Sequence, residues 1–149
     1  MRFWDSSALV PLLVAQARSE GMRDLFKRDA WITVWWAAVV ECTSAVTRLE
    51  REGKLTEHET EETLARLEQL ARAWSEVLPS PIVRQTARRL LRTHPLRAAD
   101  ALQLAAALAL TEPHAPKPEF VCLDDRLATA ARKEGFPVLG VEPARAAAD

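Results

Sequence analysis

Glycine is scarce in this 149-residue chain, at four residues. Neither GxGxxG nor a GxxxxGK(S/T) run occurs, which speaks against the usual dinucleotide folds and against Walker-type nucleotide hydrolases. Cysteine is limited to Cys42 and Cys122. Two cysteines build no disulfide framework, and these two form no CxxC pair. A reducing, cytoplasmic setting is the expectation. An excess of one charge is also missing: 20 basic and 21 acidic residues leave a net charge of −1. Bulk charge therefore points to neither a nucleic acid nor an anionic membrane, and any nucleic-acid site has to be a local patch. Long apolar runs are absent too. The longest, Ala101–Leu110, is ten residues, carries Gln103 and follows Asp100, well short of the roughly 18–20 residues that span a bilayer. Asp5 interrupts the apolar stretch that a signal peptide would need. Only three histidines occur; His58, His94 and His114 sit in polar or loop contexts without ligand spacing and read as surface residues.

What is present is a globular composition, 48% hydrophobic and 28% charged. A chain of this length buries roughly 68–70% of its unfolded surface, enough for a real core. One domain spanning residues 1–149 is expected, with no linker or repeat. Short apolar runs at Met1–Trp4, Trp31–Val34, Phe120–Leu123 and Pro137–Val141 read as strands. Between them the patterns are helical: from Ser6 and Ser7, placed as caps, to about Val14, then Ser19–Arg28 and Trp36–Glu52, which Gly53 stops. Helices follow over Thr56–Trp74, about Ile82–Thr93, Arg97–Leu110 and Arg126–Glu134. Strands alternating with helices predict an α/β fold, a mostly parallel sheet wrapped by about seven helices.

Most acids lie in polar runs, where solvation accounts for them. Four interrupt apolar ones. Asp5 and Asp124 end predicted strands, Glu41 lies in Val39-Val40-Glu41-Cys42, and Asp100 lies in Ala98-Ala99-Asp100-Ala101. An unpaired buried carboxylate costs several kcal/mol, so it either titrates or finds a cation. In parallel sheets ligands gather at the carboxyl ends of the strands, where Asp5 and Asp124 fall. Carboxylates without histidine or cysteine in ligand spacing form a hard-oxygen set that favours Mg²⁺ or Mn²⁺ over Zn²⁺. For any one of these acids the ordinary alternative is a helix cap, a salt bridge or plain exposure.

Four segments together resemble a known family: Phe3-Trp4-Asp5-Ser6-Ser7-Ala8-Leu9-Val10, Val40-Glu41-Cys42-Thr43-Ser44-Ala45 followed by Arg48, Leu96-Arg97-Ala98-Ala99-Asp100-Ala101-Leu102-Gln103-Leu104-Ala105, and Phe120-Val121-Cys122-Leu123-Asp124. In order and spacing they are similar to PIN-domain proteins of the VapC toxin type, over about the whole chain. The resemblance implies a PIN-like fold and an Mg²⁺- or Mn²⁺-dependent endoribonuclease that leaves a 5′-phosphate. Asp5, Glu41, Asp100 and Asp124 are its implied acidic quartet, and Ser6 or Ser7 polarises the site. Where the family often has Thr or Ser, two residues before the last acid, this chain has Cys122. Asp125 is a second candidate for the last acid. The resemblance further implies a small antitoxin partner and a homodimer.

Asp5, Asp100 and Asp124 are the expected direct or water-bridged ligands, with Glu41 a ligand or a positioner of the attacking water. RNA needs cationic contacts. Arg84, Arg88 and Arg92 recur every four residues along one helix face. Arg97, three residues before Asp100, faces either a phosphate or an acid. Arg48 lies two turns, about 10.5 Å, beyond Glu41 on roughly the same face, available to RNA, to an acid or to a partner. Trp31, Trp35, Trp36 and Trp74 read as core or interface, and an apolar surface over Thr33–Ala38 and the helices that follow is the expected association face. Two rivals remain. A Mg²⁺-dependent phosphatase or phospho-receiver would carry DxD after the first strand, where Asp5-Ser6-Ser7 stands. A catalytically inactive PIN-fold interaction module would show losses among the four acids.

Overall fold

The computed structural model describes residues 1–142; the expected domain end, residues 143–149, lies outside the described residues. Strands β1 (Arg2–Trp4), β2 (Ile32–Trp35), β3 (Ser75–Val77), β4 (Glu119–Val121) and β5 (Val138–Leu139) form one sheet in the order β3-β2-β1-β4-β5. Every pairing is parallel, with Arg2 beside both Ile32 and Glu119. The helices are α1 (Ser6–Leu13), α2 (Ser19–Arg28), α3 (Ala38–Arg51), α4 (Glu57–Ala73), α5 (Pro81–Thr93), α6 (Ala98–Ala109) and α7 (Asp125–Lys133).

A parallel sheet is covered on both faces, and its strands are accordingly apolar on both. Phe3 and Trp4 point to opposite sides of β1 and are both fully buried. On one face Phe3 stacks on Phe120 at 5.3 Å, Phe120 meets Phe136 at 5.7 Å, and the alanine-rich side of α6 packs close against them. On the other, Trp4, Ile32 and Val34 join Leu9 of α1, Met22 of α2, Cys42 of α3, Leu67 of α4 and Trp74 just beyond it.

The chain proceeds outward from β1 to β2 and β3, then returns to β1's other side for β4 and β5. The order reverses at β1, and the crevice beyond the carboxyl ends of β1 and β4 is where such sheets bind ligands. Two glycines serve the frame. Gly53, at φ +74°, closes α3 in the left-handed conformation that L side chains avoid. Gly140, at φ +106°, passes so near β4 that a Cβ would lie 2.5 Å from the Cys122 carbonyl oxygen.

Two expectations change. The helix ending at Trp74 is followed directly by β3, a partly exposed edge strand of Ser75, Glu76 and Val77 that pairs with Thr33, Val34 and Trp35. The cap of α1 is Asp5 itself, whose carboxylate accepts from the Ser7 N–H, so Ser6 is already helical. Among the described residues no helix is long and apolar enough to cross a membrane.

Candidate functional site

Asp5 leaves β1 at the switch point and is 3% exposed. Its N–H donates to the Val121 carbonyl at 2.9 Å, tying together the ends of β1 and β4. Its Oδ2 accepts from the Ser7 N–H at 3.2 Å, from the Ser7 hydroxyl and from the Cys122 thiol at 3.7 Å. Ser7 Oγ also accepts the Leu123 N–H at 3.0 Å, so one hydroxyl bridges the two strand ends. All these donors are neutral. Burial pushes the Asp5 carboxyl up to about 6, against the Ser7 donors and with the help of the Glu41 charge.

Glu41 occupies the first turn of α3. Its Oε2 accepts from Ser6 Oγ at 3.0 Å and its Oε1 from Gln103 Nε2 at 3.2 Å. Burial raises its carboxyl above the ordinary value, and the Asp100 charge adds to the rise. Asp100 lies in the first turn of α6 and accepts no hydrogen bond among the described residues. Burial raises it too, then the charge of Asp124, with Arg97 opposing. Asp124 is exposed and caps α7, its Oδ1 accepting the Leu127 N–H at 2.8 Å. Both strand-end acids are therefore helix caps and cleft residues at once, because each strand turns directly into a helix whose N-terminus faces the crevice.

One cleft of ≈ 570 Å³ gathers Asp5, Glu41, Asp100 and Asp124. Ser6, Ser7 and the exposed Arg48 and Arg97 border the same cleft. Asp125 stands elsewhere, in a separate hollow with His94 and Lys133, which leaves Asp124 as the last acid of the cleft. The arginine stripe is real and exposed but also lies outside: Arg84 borders a groove with Trp36 and Pro79, while Arg88 and Arg92 share another surface of α5. Gln103 is a site residue that the sequence marks only as a break in an apolar run. Its one signal is position, one turn after Asp100 in a helix otherwise rich in alanine.

The donor set suits a hard divalent cation. Among the described residues none of the four acids has a lysine, arginine or histidine within salt-bridge distance. Nor do any three acidic, histidine or cysteine side chains stand close enough to enclose an ion unaided. Mg²⁺ tolerates that arrangement, since it keeps several waters and takes one or two carboxylates directly.

An all-parallel α/β fold with a carboxylate cleft at its switch point defines the class of protein. The family model for the PIN domain matches residues 2–133, and the chain belongs to that family. Solved structures share the fold at low identity. VapC20 of Mycobacterium tuberculosis, a sarcin–ricin-loop-cleaving toxin, superposes with a TM-score of 0.66 at 16% identity, covering 96% of this chain and 100% of that one. FitAcB of Neisseria gonorrhoeae gives 0.65 at 17% identity, covering 93% of this chain and 96% of that one. A toxin–antitoxin complex from Klebsiella pneumoniae gives 0.62 at 14% identity, with coverage of 93% and 96%. No curated protein matches the sequence.

Proposed function

We propose that this protein is a metal-dependent endoribonuclease, a single PIN domain acting in the cytoplasm as the toxin of a toxin–antitoxin pair. The observation that carries the reading is the cleft of four carboxylates with no cationic partner among the described residues, three of them pushed upward by burial and by one another. Like charges brought together this way destabilise the fold until a cation joins them. An inactive interaction module has no use for that cost.

Asp5, Asp100 and Asp124 would hold Mg²⁺ or Mn²⁺ directly or through water, and Glu41 would ligate it or orient the attacking water. A divalent ion bound there supplies water activation and charge stabilisation for phosphodiester hydrolysis. Ser7 fixes Asp5, and Ser6 fixes Glu41. Arg48 and Arg97, exposed at the same cleft, are suited to the phosphates flanking the cut. The stripe of Arg84, Arg88 and Arg92 extends the cationic surface to more of the RNA.

The expected association face, Thr33–Ala38 with the helices that follow, is part core and part exposed. Thr33, Val34 and Trp35 are core, whereas Trp36 and Val40 stand exposed, and Leu78 and Ile82 are exposed as well. A second copy of the chain or the antitoxin would cover them. The test is cleavage of an RNA pool followed by end analysis. EDTA should abolish cutting, Mg²⁺ or Mn²⁺ should restore it, and the new ends should carry 5′-phosphates. Cutting that is insensitive to EDTA, or no cutting with either ion by purified protein free of antitoxin, contradicts the proposal.

A further inference from the structure

Gln103 is fully buried in a helix whose other sealed residues are Ala101, Leu104, Ala105, Ala106 and Ala107. Packing does not explain it, since leucine has a similar volume and no polar atoms to desolvate. Its Nε2 donates to Glu41 Oε1 at 3.2 Å, while its Oε1 is sealed from solvent with no partner among the described residues. Burying an amide with one end unsatisfied is costly. The orientation follows from charge: only the amide N–H can face an ionised carboxylate, because the carbonyl would be repelled by it. With Ser6 Oγ on Oε2, Glu41 is held from α1 on one side and from α6 on the other. A carboxylate has about four acceptor positions. Two are taken by these donors, and the rest remain for an ion or a water.

We propose that Gln103 is a positioning residue for Glu41, fixing the direction in which that carboxylate meets the divalent ion or its water. The proposal rests on the nuclease reading of the cleft. It also accounts for an amide one turn after Asp100: the same helix presents one acid to the cleft and braces another from beneath.

The experiment compares wild type, Gln103→Leu, Glu41→Gln and the double variant. Mn²⁺ affinity is read by electron paramagnetic resonance, folding by thermal melts in EDTA, and RNA cleavage by kcat and KM separately. Gln103→Leu should melt at or above the wild-type temperature, bind Mn²⁺ about 10- to 100-fold more weakly, and lose kcat with KM unchanged. On the Glu41→Gln background the same substitution should change neither affinity nor kcat further, because it has nothing left to position. Gln103→Met, unbranched, serves if the leucine variant does not fold. Unchanged Mn²⁺ affinity and kcat in the folded Gln103 variant, while Glu41→Gln loses both, overturns the positioning role and leaves the nuclease reading standing. Losses that multiply in the double variant overturn it as well. A Glu41→Gln variant with wild-type affinity and turnover overturns the role of Glu41 and this inference with it.

Discussion

At the end of α7, Glu134 receives both terminal nitrogens of Arg89, at 3.1 and 3.0 Å, and the Nε2 of buried His94 at 2.7 Å. At the carboxyl end of the sheet, Asp5, Glu41 and Asp100 receive only hydroxyls, amides, a thiol, or nothing. The two regions respond oppositely. The Arg89 guanidinium holds the Glu134 carboxyl below its ordinary value, whereas burial holds the three cleft acids above theirs. This chain can neutralise a part-buried acid and does so where the acid joins α5 to α7. In the cleft, among the described residues, the acids have no ion-pair partner although Arg48 and Arg97 border it. Glu134 is closed by the protein; on the proposed reading the cleft acids are left for a divalent ion.

Substitutions at the two regions should therefore separate stability from turnover. The largest effect is expected from Asp5→Asn or Asp100→Asn, which should lower RNA cleavage by more than about 100-fold, since even removing a group that merely orients a metal ligand costs about 10- to 100-fold. Melts in EDTA should show the same variants as stable as wild type or more so. Glu134→Ala should do the reverse, with cleavage unchanged and denaturant titration showing a loss of about 1–3 kcal/mol. Most of that loss belongs to the pairing with His94, whose side chain is 5% exposed; Arg89 is 52% exposed, and solvent screens its share.

The pH dependence of stability sharpens the contrast. Asp5, ordinarily near 3.8 and raised to about 6, binds more protons folded than unfolded between those values. Metal-free protein should therefore lose stability from this residue as pH rises from about 4 to about 6. The loss is on the order of 3 kcal/mol, and it should be absent in Asp5→Asn. Glu134 works the other way: its lowered carboxyl contributes stability above its ordinary value, lost as pH falls below it. Urea titrations in EDTA across pH 3–8 on wild type, Asp5→Asn and Glu134→Ala resolve the two slopes. The smallest effect is expected on the arginine stripe. Arg88→Ala or Arg92→Ala should weaken RNA binding mildly and reduce the salt slope by about 1 for each phosphate left without its arginine, as measured by fluorescence anisotropy.

The same contrast marks how far the sequence could be read. Among the described residues, seven helices and four of the strands announce themselves through apolar periodicity and caps. The fifth, β3, does not, because three mostly polar edge residues become a strand only through pairing with β2. The four acids are legible because each interrupts an apolar run. Asp124 is preferred over Asp125 in the sequence for its place at the strand end, and the geometry agrees: the first caps α7 and lines the cleft, while the second borders another hollow. His94, expected at the surface, is buried: its neighbours Thr93 and Pro95 suggest a loop, but its partner Glu134 is 40 residues away. Gln103 fails to register for the same reason, since its partner Glu41 lies 62 residues back. Local pattern reveals what breaks a run; only the fold reveals what it meets.

The claim that the cleft carboxylates are kept unpaired for a divalent ion is tested most directly by one set of melts, wild type against Asp100→Asn, each in EDTA and in Mn²⁺. Asp100→Asn should melt at or above wild type in EDTA, and the rise produced by Mn²⁺ in wild type should be lost or strongly reduced in the variant. A variant that melts lower than wild type in EDTA yet is stabilised by Mn²⁺ as much as wild type would contradict that claim.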